Sequence, residues 1–242
     1  MLADRGVRCL LGGALGDALG YPIEFAASGA EIARVFGASA PSRLIRCDDG
    51  LVHVSDDTQM TLFTAEGLVL ARRHGVAPLL AVHAAYQRWL YTQMPTRFDR
   101  PEVGSLLDVG EMYARRAPGS TCISARDLLA GEARHEETAA ALDVAMSMRS
   151  PTYADLEALA NGGWTGEWAL AIAIACVHDA RDAADAMWRA AAHAGDSDTT
   201  ASIAGALLGA MGADMPPAWL ADLEMRDVVE RVARELVQAA AY

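Results

Sequence analysis

Two short strings hold most of the chemistry this sequence could do: Ser55-Asp56-Asp57-Thr58 and Asp196-Ser197-Asp198-Thr199. Each sets two carboxylates and flanking hydroxyls directly before an apolar helical pattern. One reading is local, because Ser, Thr and Asp cap helix N-termini and acids favour the positive end of the helix dipole. The other is a shared site. A cap needs one acceptor, whereas two carboxylates stand at each of two helix starts. Four carboxylates gathered without a cation would raise one another's pKa values by like-charge repulsion. A hard divalent ion, Mg2+ or Mn2+, removes that penalty, since it prefers carboxylate, hydroxyl and water oxygens. The chain has no His-rich or Cys-rich cluster, which argues against zinc. Glu24, at the end of Gly16-Asp17-Ala18-Leu19-Gly20-Tyr21-Pro22-Ile23-Glu24, is a third acid to weigh with them, either as an ordinary loop glutamate or as their partner.

The elements that must position these groups read as helices. Residues 3–19 form the first, with Gly12, Gly13, Ala14, Gly16, Ala18 and Gly20 along it. Each glycine costs a helix about 0.5–1 kcal/mol, so several together mark a backbone that something approaches closely. Pro22 is expected to end that helix, and 26–54 to be mostly loop with a weak strand hint at 51–54. Further helices are expected at 58–74, 76–91, 105–116, 123–130, 134–147, 153–160, 164–178, 181–193, 199–213, 217–222 and 225–240. No repeat and no linker composition divides the chain, so one domain over 1–242 is the expectation.

Composition agrees with an all-α fold. Alanine supplies about a fifth of the residues and has the best helix propensity, while the β-branched and aromatic residues that strands favour are sparse. With 52% apolar and 21% charged residues in 242, the chain can bury a substantial core. A net charge of −12 and a pI near 4.8 argue against a nucleic-acid backbone binder, which needs a basic stripe to displace counterions. Cys9, Cys47, Cys122 and Cys176 form no CxxC pair and read as reduced thiols of a cytoplasmic protein. The N-terminus carries no apolar h-region, and the longest apolar run, 168–177, is too short to span a bilayer.

Taken jointly, the strings resemble the ADP-ribosylglycohydrolase family, which includes the dinitrogenase reductase-activating glycohydrolases. Its G-D-x-x-G-x-P-x-E string is matched by Gly16-Asp17, Gly20, Pro22 and Glu24, and its S/T-D-D-T string by Ser55-Asp56-Asp57-Thr58. Its G-D-[ST]-D-[ST] string before a small-residue helix is matched by Gly195-Asp196-Ser197-Asp198-Thr199 and the run from Ile203 to Ala210. Two minor strings also look alike: Gly119-Ser120-Thr121-Cys122-Ile123-Ser124-Ala125, and Gly162-Gly163-Trp164 with the helix from Glu167 to Ala173. The resemblance implies a compact orthogonal helical bundle with a binuclear Mg2+ or Mn2+ centre. Ser55, Asp56 and Asp57 would bind one ion, Asp196 and Thr199 the other, and Asp198 would bridge them. Glu24 would serve as a ligand or as an acid/base, with Asp56, Asp57 and Asp198 also in the catalytic set. ADP-ribose would meet Asp17, Gly119, Ser120, Cys122 and Arg149.

The centre of the chain departs from that pattern. The family's N-G-x-x-M-R-x-x-P loop survives only as Met148-Arg149-Ser150-Pro151, and the helical stretch that follows it in the family is missing. Arg149 is thus a phosphate contact or a solvated arginine at a helix end. His193 either orients a cluster carboxylate or is structural. Trp89, Trp164, Trp168, Trp188 and Trp219 are mostly core candidates, and one of them could stack on adenine. The expected function is metal-dependent hydrolysis of the bond between ADP-ribose and an arginine or serine side chain of a modified protein. Two alternatives stay open: a hydrolase of a small derivative such as O-acyl-ADP-ribose, and a non-catalytic, immunity-like binder of ADP-ribose or of an ADP-ribosyltransferase.

Overall fold

In the computed structural model, which describes residues 2–118, 135–148, 152–158 and 160–241, the chain is all-α. Its helices are α1 (Leu2–Gly20), α2 (Gly29–Phe36), α3 (Asp56–His74), α4 (Pro78–Gln93), α5 (His135–Ser147), α6 (Tyr153–Ala158), α7 (Ala160–Gly163), α8 (Gly166–His178), α9 (Ala183–Ala191), α10 (Ser197–Met211), α11 (Pro217–Asp222) and α12 (Arg226–Ala240). Short 3-10 turns occupy Tyr21–Ile23, Ser105–Asp108 and Gly110–Tyr113. The backbone gathers into two compact units, each built from two chain segments: Met1–Val54 with Ala133–Arg226, and Ser55–Glu132 with Asp227–Tyr242.

The first unit is organised around α1 and α10, which run antiparallel with almost no side chain between them. A Cβ at Gly12 would overlap the Gly205 carbonyl, and one at Gly16 the Ala201 carbonyl. One at Gly20 would strike the backbone of Ser197 and Asp198, and one at Gly209 the Arg8 carbonyl. Positions 12, 16 and 20 fall four apart and share one helix face. This is the close approach the glycine pattern implied. Around the pair lie the buried faces of α8 (Ala169, Ala171, Ile172, Ala173, Cys176) and α9 (Ala186, Met187, Trp188). Burial pushes the Cys176 thiol up to about 12, so it stays protonated and inert as a nucleophile.

The second unit pairs α3 with α4. Ser55 caps α3, its Oγ accepting from the Asp57 amide at 3.1 Å, and Gly75 closes the helix in a left-handed conformation after Arg72, Arg73 and His74. The expected helix at 105–116 is two 3-10 turns instead. Glu66 explains the first: one of its oxygens pairs with buried Arg88, and the other accepts from the Ser105 hydroxyl and the Leu106 amide at 3.0 and 3.1 Å. Gln59 explains the second, its amide donating to the Glu111 and Ala114 carbonyls at 3.1 and 2.9 Å. Groups that an α-helix would satisfy internally are taken by side chains of α3.

Two other expectations change. Helix α2 lies inside the stretch expected to be loop, started by Ser28, whose Oγ accepts from Glu31 N at 3.2 Å. Residues 51–54 do not form a strand: Val52 and Val54 are buried and Leu51 exposed, but the Val54 amide donates to the Glu224 carboxylate at 3.0 Å instead of to another strand. The expected helix at 123–130 lies outside the described residues. Among the described residues, no helix is long and apolar enough to cross a membrane.

Candidate functional site

The glycine stripe fixes what happens at one end of α1. Because Gly20 lies against Ser197 and Asp198, the 3-10 turn at Tyr21–Ile23 carries Glu24 to the N-terminus of α10. Helix α1 ends at Gly20, in keeping with Pro22, which fits the first turn of the 3-10 segment that follows, where its missing N–H costs nothing. Carboxylate oxygens of Glu24, Asp196 and Asp198 consequently lie within 4.8 Å of one another. Glu24 and Asp198 are buried and Asp196 is half-buried.

A glycine pair of a different kind places Asp196. Gly195 has φ +146 and Gly162 φ +75, and a Cβ on either would run into the other's segment. Across this contact the Asp196 amide donates to the Gly162 carbonyl at 3.0 Å. Asp196 stands at the N-cap of α10, yet its side chain makes no capping hydrogen bond. The capping account thus holds for Ser55 and not for Asp196. Asp198 sits in the first turn, where the helix dipole favours a negative group, and accepts from the Thr199 amide at 2.9 Å.

Below the carboxylates the segment is tied by buried polar groups that the sequence did not single out as a set. The Thr200 hydroxyl donates to the Ala190 carbonyl at 2.7 Å, with the Asp196 carbonyl also in reach at 2.8 Å. His193 Nε2 faces the same hydroxyl at 3.0 Å. On the other side of the ring, His193 Nδ1 faces the Ala194 carbonyl at 3.4 Å. His193 is fully buried and braces the start of α10 through Thr200. In the sequence His193 stood out by its place two residues before Gly195.

Of the other residues marked by sequence, Asp17 is wholly buried in α1 and Thr199 is half-buried in the first turn of α10. Ser55, Asp56 and Asp57 open α3 in the second unit, with Ser55 and Asp56 buried and the Asp56 amide donating to the Arg116 carbonyl at 3.3 Å. Gly119, Ser120, Cys122 and Arg149 lie outside the described residues.

The donor set of the triad suits a hard divalent cation. It offers carboxylate oxygens only, and each ionised pair at this spacing repels by on the order of 3 kcal/mol at an effective dielectric near 20. Among the described residues it is the group of acids and imidazoles close enough to hold an ion.

An all-α chain with a carboxylate cluster at a helix start defines a class of acidic-site helical proteins, and comparison with known proteins narrows it. The ADP-ribosylglycohydrolase model matches residues 1–141 and 124–242, so the chain belongs to the ADP-ribosylglycohydrolase family, a family of glycoside-type hydrolases. A solved structure described as an ADP-ribosylglycohydrolase-related protein complex superposes with a TM-score of 0.55 at 22% identity, covering 98% of each chain; at that identity the likeness speaks for the fold. Among curated proteins a sequence search finds no match.

Proposed function

We propose that this chain is a metal-dependent hydrolase that cleaves the N- or O-glycosidic bond between ADP-ribose and an arginine or serine side chain of a modified protein, in the cytoplasm. The observation that carries the reading is the meeting of Glu24, Asp196 and Asp198 at the start of α10. In this reading Asp196, Asp198 and Thr199 would hold one Mg2+ or Mn2+ ion, and Ser55, Asp56 and Asp57 would supply ligands for a second. Bound divalent ions neutralise the clustered charge, orient ribose hydroxyls and lower the pKa of water.

The protein's own groups do the rest. Cleavage at an anomeric carbon develops oxocarbenium character and calls for a carboxyl to move a proton. Glu24 comes from a different element than the aspartates, and its carboxylate would take a proton from the attacking water and return one to the arginine nitrogen or serine oxygen as its bond to the anomeric carbon breaks. Asp56 and Asp57 would belong to the same catalytic set, and Asp17, buried in α1, would help shape the ADP-ribose pocket. ADP-ribose would further meet Gly119, Ser120, Cys122 and Arg149, as the family resemblance implies.

The test is to incubate the protein with ADP-ribosyl-arginine and ADP-ribosyl-serine peptides in Mg2+, Mn2+ or EDTA. Free ADP-ribose should accumulate only with metal, and Asp198→Asn should abolish it. Cleavage of O-acyl-ADP-ribose alone would shift the substrate, and tight ADP-ribose binding without any cleavage would overturn the enzymatic reading.

A further inference from the structure

Helix α4 turns a face without charge toward water. From Pro78 to Gln93 its only Asp, Glu, Lys or Arg is Arg88, which is buried against Glu66. Outward it shows Leu79, Leu80 and Ala84, with Leu79 56% and Leu80 63% exposed. A helix that meets water normally carries charged residues on that side. The shortage reaches beyond the helix. The chain holds 32 Asp and Glu in 242 residues, yet none between Glu66 and Asp99. Single exposed leucines need no explanation, but a contiguous apolar face marks a contact surface.

Beside these leucines the second unit has a groove. About 440 Å3 of open space lies between the last turn of α3, the start of α4 and the end of α12, lined by Leu68, Ala71, Val76, Pro78, Leu236 and Ala239. Arg72 stands at its edge, in a basic last turn that suits the dipole of α3. Glu235, next to Leu236, is taken up by Arg73 and Arg231 at 3.2 and 3.4 Å. A protrusion and a groove thus adjoin on one surface. A two-fold contact requires that self-complementarity, because each copy must fill what the other leaves open. The charge pattern selects the same occupant. Two chains that each carry −12 repel wherever carboxylates face each other, and along the acid-free span they meet without that cost. Contacts between identical chains are also the more apolar kind. We infer that this groove and the outer face of α4 form a two-fold interface between two copies of the chain, with Leu79 and Leu80 of each seated in the groove of the other. The inference does not depend on the proposed hydrolysis.

Sedimentation velocity of the full chain over a concentration series tests this. It should reveal a particle of twice 25.6 kDa. Leu80→Asp should weaken the association roughly 100-fold, since it sets a carboxylate in the centre of an apolar contact. Ala84→Glu, which alters the same face at an exposed position, should do likewise. Circular dichroism should match the unaltered chain; if Leu80→Asp loses its helical signal, Ala84→Glu decides. Met211→Asp, at a 67% exposed position on α10, should leave the dimer intact. Rising salt should tighten the dimer, because it screens the repulsion between two acidic chains while the contact itself is apolar. A monomer at every concentration overturns the inference. So does a dimer that survives both Leu80→Asp and Ala84→Glu, that Met211→Asp disrupts as strongly, or that falls apart as salt rises. A monomer that binds a synthetic acidic amphipathic peptide, and loses it in Leu80→Asp, would give this face to another protein and overturn the inference too.

Discussion

Thr200 carries a buried hydroxyl on which His193, the end of α9 and the Asp196 carbonyl converge. Thr200→Val keeps the shape and removes the oxygen. Leaving those buried partners unmet costs about 1–3 kcal/mol, read as a lower urea midpoint, and should weaken Mg2+ binding because the same segment carries Asp196 and Asp198. Thr200→Ser should restore both, which a mere loss of packing would not allow. At this scale the acidic strings were legible, since few residue types besides Asp and Glu can make such a site. Whether a given acid caps a helix or faces a ligand was not legible, because both uses want the same oxygen at the same helix end. Ser55 caps its helix and Asp196 does not, a distinction set by the backbone angles around each.

The helices α1 and α10 meet through glycine, and the face matters more than the residue type. Gly16→Ala would drive a methyl group into the Ala201 carbonyl, and overpacking of this kind costs about 1–3 kcal/mol or more. Gly13 lies on the neighbouring face, where a Cβ would find Ser202 Oγ at 3.5 Å and the Ala206 Cβ at 3.8 Å, ordinary contacts. Gly13→Ala should be neutral or stabilise by roughly 0.5–1 kcal/mol through helix propensity. Thermal melts of the two variants should therefore move in opposite directions, and Gly16→Ala should also lower turnover by displacing Glu24. Most helices were readable from apolar period and caps. The misses have physical causes: α2 is only eight residues long, and 105–113 is governed by Glu66 and Gln59, which lie 39 to 55 residues before the groups they hold.

For the molecule as a whole, the net charge of −12 includes carboxylates brought within 4.8 Å by folding. An unfolded chain spreads those charges apart, so a cation that binds the gathered set stabilises only the folded state. At one hundred times its Kd, such an ion adds about 2.7 kcal/mol, worth roughly 5–10 °C in a domain of this size. A differential scan with Mg2+ or Mn2+ should show that rise, EDTA should reverse it, and Asp198→Asn should lose it. A melting temperature indifferent to all three would speak against an ion at this site.

By itself the sequence determined the helical class, through alanine content and 3.6-residue periodicity, and it named the acids, through three strings that the family shares. These are local properties, readable wherever neighbours along the chain suffice. Tertiary structure alone decided that Glu24 joins Asp196 and Asp198, because that meeting depends on how closely α1 and α10 approach. It also decided that Trp164 stays exposed while Trp89, Trp188 and Trp219 are buried, since burial is set by what packs on a residue, and spacing along the chain carries no record of that.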